Sequence, residues 1–214
     1  MVDERVAQLS LADWRRQVAA LYVDVRAVAA SDPRRAWDRW RRAREELYRT
    51  HPDSPVPTDQ RGGFRARHFK YDPALRFEAV EVRRSPPPEP GTGLLSLPNS
   101  GADSLSFTRI GAVDVPFPAG TRTLSIFWMG GYAGGLFLPF RDGTNGTETY
   151  GAGRYLIDSA KSADLGSDPD RGTLVLDFNF AYQPSCAFDP KWACPLAPPE
   201  NRLDIPVRAG ERIA

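Results

Sequence analysis

Residues 136–158, LFLPFRDGTNGTETYGAGRYLID, constrain the fold more than any other stretch of the chain. An apolar run from Leu136 to Phe140 meets a polar, glycine-punctuated segment and is answered by a second run, Tyr155 to Ile157. Asp142, Gly143, Asn145 and Gly146 tolerate the positive φ that reversing turns need, so the two runs read as a β-hairpin. The connection is too long for a two-residue turn, which predicts a bulge or a wide loop. Arg141, Asp142, Thr149, Tyr150 and Arg154 crowd into it and make it the first place to look for a site.

Upstream the pattern is helical. Ser10 is placed to cap a first helix, with Asp13 three residues on in a weaker form of the capping box. Leu11, Trp14, Val18, Leu21, Tyr22, Val25 and Val28 then form one apolar stripe. Asp32 and Pro33 stop this helix and start a second, as cap and first helical residue. Trp37, Trp40, Arg44, Leu47 and Tyr48 share one face of it, so the tryptophans are expected to anchor it. The segment His51-Pro52-Asp53-Ser54-Pro55 ends it, because a proline disfavours helix in the residue before.

From Phe64 onward the texture is that of strands. FRARHFKY and LRFEAVEVRR alternate as a first pair; SLSFTRIGAVDVPF, with a bend at Gly111, and TLSIFWM follow LLSL. After the central hairpin come TLVLDFNFAY, a proline-rich tail and a short last strand near Ile205–Arg208. The fold class is therefore mainly β with an N-terminal helical arm (α+β): an antiparallel β-sandwich or partly closed barrel with two packed helices. One domain is expected over residues 1–214, with the arm at 10–50, the β core at 62–212 and a Pro-rich loop at 85–93.

Composition excludes several classes. With 28 basic and 27 acidic residues there is no net field to attract nucleic acid or anionic membrane. The chain holds no apolar run of membrane-spanning length, and MVDERVAQLS is not signal-like, so a soluble, cytoplasmic protein is expected. The arginines of the second helix, Arg34, Arg35, Arg39, Arg41, Arg42, Arg44 and Arg49, resemble a phosphate-contacting patch. Pairs at i,i+4, Arg41 with Glu45 and Arg42 with Glu46, explain them more simply as a solvated face, and nucleic acid is not assigned as a partner.

Taken together, LFLPFRDGTNGTETYGAGRYL, LDFNFAYQPSCAF, CPLAPPENRL and the closing RAGE resemble a bacterial and archaeal family, the domain of unknown function number sixteen eighty-four. Its F-x-D-x-T-x-G-x-x-T-Y-x-x-G-R-Y-L hairpin is similar to Phe140, Asp142, Thr144, Gly146, Thr149, Tyr150, Gly153, Arg154, Tyr155 and Leu156. The D-F-N-x-A-Y-N-P-x-C-A and C-P-x-P-x-x-N segments continue at Asp177, Phe178, Asn179, Ala181, Tyr182, Pro184, Cys186, Ala187, Cys194, Pro195 and Asn201. The likeness is dense over residues 136–212, and Gln183 departs from the family's asparagine. The resemblance implies that hairpin and tail form one unit, and it brings no activity or cofactor with it.

Candidate chemistry centres on the strand read through Asp177 to Tyr182. Alternation puts Asp177 and Asn179 on one face and Phe178, Phe180 and Tyr182 on the other. A carboxylate and an amide in such a strand need partners, and Arg154 is the expected one. The functional reading is a small-molecule pocket in which Arg154, Asn179, Tyr150, Asp177 and Tyr182 contact a polar or anionic ligand. Phe107, Phe127, Trp128, Phe137 and Tyr155 would wall it. An enzyme there would use Asp177 or Asp142 as base, with Tyr150 and Arg154 stabilising negative charge. The structural alternative is a buried Arg154–Asp177 pair that fixes the sheet. A third reading makes the Arg- and Trp-rich helices a docking face for a partner or a second copy of the chain, a homo-oligomer.

Asp142, Thr144, Asn145, Glu148 and Thr149 offer oxygens to a hard cation, but turn chemistry accounts for the same residues and no metal is assigned. Cys186 and Cys194 leave three alternatives open: structural thiols or a disulfide, ligands of a zinc ion with no histidine nearby, or a nucleophile beside Lys191 or Arg202. No nucleophile elbow or dinucleotide fingerprint is present, so no cofactor is assigned.

Overall fold

The computed structural model describes residues 4–84, 95–96, 106–131 and 134–213. The expected Pro-rich loop at 85–93 and most of the LLSL stretch lie outside the described residues. Two N-terminal helices cover antiparallel sheets arranged as a sandwich, not a closed barrel.

Helix α1 spans Glu4–Ala29 and α2 spans Pro33–Thr50. The first helix begins before Ser10, whose hydroxyl donates instead to the Asp53 carboxylate. Asp32 caps α2 as expected, accepting from the Arg35 amide at 2.9 Å. Trp40 is fully buried and donates to the Tyr22 hydroxyl at 3.1 Å, and Trp37 reaches the Asn179 carbonyl at 2.9 Å. The two indoles thus tie α2 to α1 and to the β core. The arginines of α2 pair differently from expectation: Arg41 bonds Asp38 at 2.9 Å, and Glu45 accepts from the Ala66 amide at 3.0 Å.

The strands are β1 (Arg67–His68), β2 (Arg76–Glu81), β3 (Arg83–Arg84), β4 (Leu95–Ser96), β5 (Ser106–Phe117), β6 (Gly120–Met129), β7 (Gly135–Phe140), β8 (Arg154–Asp158), β9 (Ser167–Asp168), β10 (Thr173–Asp177) and β11 (Glu211–Arg212). The large sheet runs β3-β5-β6-β7-β8, with β4 also on β5. A second sheet runs β2-β10-β9. The bend at Gly111 is a bulge in the β5–β6 ladder, and β7 and β8 form the expected hairpin.

Alternation along the large sheet divides the core in two. Val113, Val115, Leu124, Ile126, Leu138 and Phe140 face Val80, Leu174, Leu176 and Phe178 inside the sandwich. Phe107, Phe127, Phe137 and Tyr155 point the other way and meet Tyr22, Val25, Trp37 and Trp40 of the helices. These aromatics, expected as pocket walls, are therefore mostly sealed under the arm, while Trp128 is 45% exposed.

Three strand expectations are corrected. FRARHFKY supplies only β1, which pairs with β11 and not with β2. The TLVLDFNFAY strand ends at Asp177, because its carboxylate accepts from the Asn179 amide at 3.0 Å and winds Phe178–Phe180 into a 3-10 turn. The last strand is Glu211–Arg212, since the Val207 and Ala209 carbonyls, in and beyond the expected span, turn inward to Arg154.

Candidate functional site

The hairpin loop at 141–153 folds into a knot around Arg154. The Asp142 carboxylate accepts from the Thr144 amide at 2.8 Å and its hydroxyl at 2.5 Å, and from the Val207 amide at 3.3 Å. Its other oxygen takes the Arg154 guanidinium at 2.8 Å. Asn145 closes the loop, accepting from the Asp142 amide and donating to Thr149 and to the Tyr150 carbonyl. Arg154 also donates to the carbonyls of Val207, Ala209 and Glu211 and lies 5.2 Å over the Phe140 ring. It is fully buried, and its Nε has no hydrogen-bond partner among the described residues.

Asn179 and Asp177 form a second, separate cluster. Asn179 holds both the amide and the carbonyl of Asp72 at 2.8 Å and donates to Asp177 at 2.7 Å. Asp177 is paired with Arg76 at 3.2 Å, not with Arg154; the partner expected for Arg154 is thus corrected to Asp142. Burial raises the Asp177 pKa against the pull of Asn179 and Arg76. Tyr150 stands apart from both clusters, its pKa pushed up to about 12 by burial and by a hydrogen bond with Cys186. The Cys194 thiol is raised strongly by its hydrogen bond with Cys186 and by burial, which opposes the thiolate a nucleophile needs. Both cysteines are buried, and no disulfide joins them. Among the described residues no group of three or more His, Cys, Asp or Glu side chains is placed to hold a metal ion.

Tyr182 alone of the expected contact residues lines an open cavity, and that cavity lies between the helical arm and the sandwich. It has a volume of about 330 Å³. Leu11, Trp14, Val18 and Tyr22 come from α1, and Arg44 and Tyr48 from α2. Tyr155, Lys161, Tyr182, Trp192 and Cys194 come from the core and tail. Arg44 occupies its polar end, bonded to Glu211 through Nε at 2.5 Å and Nη2 at 3.3 Å. Its Nη1 makes no hydrogen bond among the described residues, and its guanidinium sits 4.4 Å from the Tyr48 ring and 4.6 Å from the Tyr182 ring. Burial works against the Arg44 charge, but Glu211 and the neighbouring tyrosines override it and raise its pKa. Burial likewise works against the Glu211 carboxylate, and Arg44 holds its pKa below the usual range.

The hydroxyls of Tyr48 and Tyr182 have no hydrogen-bond partner among the described residues, and neither is a sealed orphan. By contrast Tyr155 donates to the Pro195 carbonyl at 2.5 Å. Burial pushes the Tyr22 pKa up to about 12 and raises those of Tyr48 and Tyr182, so all three remain neutral donors near pH 7. On the far wall Lys161 lies 3.2 Å from Asp158, whose other oxygen is buried without a partner. Arg44 and Tyr48 have the i,i+4 spacing of helical neighbours and were legible as one face. Their meeting with Glu211 and Tyr182 was not, because it joins the two ends of the chain.

Comparison with known proteins adds a family and a fold. The model of the family described as "Protein of unknown function (DUF1684)" matches residues 64–212. The solution NMR structure of an uncharacterized protein from Haloarcula marismortui is similar with a TM-score of 0.58 at 31% identity, over 81% of this chain and 90% of that one. No curated protein matches. Among the described residues no helix is long and apolar enough to cross a membrane.

Proposed function

The chain belongs to the DUF1684 family, whose matched part begins after the two helices, and we propose that it binds a small molecule in the cleft those helices form with the family core. The ligand has a flat apolar body and a polar or anionic end. The body lies among Trp14, Tyr22, Tyr155 and Trp192, and the polar end meets Arg44, Tyr48, Tyr182 and Lys161. One observation carries this reading: a guanidinium with an unused nitrogen is stacked between two tyrosine rings, whose hydroxyls have no hydrogen-bond partner among the described residues, in the lining of an aromatic cavity. Groups of this kind left idle near apolar walls are what a ligand satisfies.

Arg154, Asn179, Asp177 and Asp142 take structural roles in this proposal, because Arg154 and Asp142 are spent on each other and on the tail, and Asp177 and Asn179 on each other, Arg76 and Asp72. A cytoplasmic location is kept as part of it, consistent with two buried cysteines not joined in a disulfide. Native mass spectrometry of the purified protein tests the reading. A co-purified small molecule that is lost from the Tyr48→Phe/Tyr182→Phe double variant supports it. A bound molecule that survives in that variant contradicts it.

A further inference from the structure

The short ladder between β1 and β11 places Arg67 directly opposite Arg212 and His68 opposite Glu211. Opposed residues of an antiparallel pair share a face, so the two arginine side chains leave the ladder on the same side. Like charges in that position repel unless a counter-charge sits between them. None is supplied by the described residues. Arg67 has no hydrogen bond or ion pair there, and the Arg65 side chain bonds only the Phe64 carbonyl beside it, at 2.7 Å. Arg212 lies 5.3 Å over the Phe69 ring, and its Nε is buried with no partner at all.

The carboxylates nearby are committed elsewhere. Glu211 faces away across the ladder to Arg44, and Glu45 accepts from the Ala66 amide without pairing to any of the three arginines. Arg65, Arg67 and Arg212 line one hollow of about 220 Å³ together with Phe64, Phe188 and Glu211, whose carboxylate is paired with Arg44. We propose that this hollow is an anion site that takes a phosphate or a carboxylate group, held by the guanidinium groups of Arg65, Arg67 and Arg212. None of these three arginines lines the aromatic cleft, although Gln183 lines both. Guanidinium groups recognise both oxyanions through paired N–H donors.

Inorganic phosphate is the first probe and citrate the second, each titrated against sodium chloride at matched ionic strength while the melting temperature is followed. The site predicts a saturable rise with at least one of the two anions, and which of them acts distinguishes a phosphate from a carboxylate ligand. In the Arg65→Gln/Arg67→Gln variant the apparent affinity falls at least tenfold. Both side chains are exposed, so the variant folds, and relief of repulsion leaves its melting temperature without anion equal to or above that of the wild type. An Arg34→Gln/Arg35→Gln variant on α2 keeps the full response. Absence of a saturable rise with either anion, or an equal loss in the α2 variant, overturns the proposal. Because the probe anions and altered residues lie outside the aromatic cleft, failure here leaves the ligand reading of that cleft intact.

Discussion

Arg154 and Arg44 are both buried arginines clamped by a single carboxylate, and they do different things. Arg154 is sealed: its two terminal nitrogens serve Asp142 and three tail carbonyls, so its charge is consumed in holding hairpin and tail together. Arg44 keeps 12% of its side chain exposed, is held by Glu211 through two nitrogens, makes no hydrogen bond with the third among the described residues, and lines a cavity. The chemistry of the pair is the same. The difference lies in access: the remaining donor of Arg154, Nε, is buried without a partner and out of reach, whereas Arg44 and the rings around it line a cavity that a ligand can enter.

The largest effect is expected at the sealed pair. Arg154→Met leaves Asp142 buried without its counter-ion and three carbonyls without their donor, so urea denaturation should show a loss of about 3–5 kcal/mol. A variant that folds with wild-type stability would erase the distinction between the two arginines. Next comes Gly210, which sits among the carbonyls that receive Arg154. Its φ is +76°, and a Cβ there would run into the Ala181 and Phe178 carbonyls. Gly210→Ala should therefore cost on the order of 1–3 kcal/mol in the same assay.

The Arg44 side is sharpened by pH. Burial, with Arg44 nearby, holds the His68 pKa below its ordinary 6.5 despite the opposing pull of Glu211. The unfolded chain therefore takes up the proton first. The stability this group contributes is full above about pH 6.5 and is lost as pH falls toward the lower folded value. Glu211, with its pKa depressed in the fold, contributes stability above about pH 4.3 that disappears as pH falls through its folded value. Asp177, with its pKa raised, acts in the opposite sense, since protonation favours the fold and stability declines as pH rises through its folded value. The urea midpoint of the wild type should drop on acidification below about pH 6.5, and His68→Gln should flatten the upper part of that drop. An unchanged profile in the variant would remove His68 from the account.

Much of the architecture was legible in the residues. The helical stripes, the Asp32 cap, the bend at Gly111 and the hairpin all follow from local pattern and turn chemistry, and the family likeness rests on motifs that match residue by residue. The dense polar motif around Asp142 and Arg154 was also visible, but its meaning was not. The residues that build a ligand site and those that tie a loop to a distant tail are the same types, and only the partner across space distinguishes them. Two local competitions were missed as well. Asp177 turns its own strand into a 3-10 turn by accepting the Asn179 amide, and Asn201 pins β6 to β7 by bonding both the amide and carbonyl of Ser125 and the Pro139 carbonyl. The cleft itself draws on α1, α2 and the tail, separated by more than a hundred positions, so no window of sequence contains it.

The smallest effect on stability is expected where the effect on binding is greatest. Removing the Tyr48 and Tyr182 hydroxyls takes away no internal hydrogen bond, so Tyr48→Phe/Tyr182→Phe should stay within about 0.5 kcal/mol of the wild type. The decisive measurement is a fluorescence titration with 1-anilinonaphthalene-8-sulfonate, a flat aromatic anion, in the wild type, this double variant and a Leu9→Ser variant on the exposed face of α1. The account predicts saturable binding that weakens about tenfold, or roughly 1.4 kcal/mol, in the double variant and is unchanged in Leu9→Ser. Binding that is indifferent to the two hydroxyls, or that vanishes with Leu9, would contradict it.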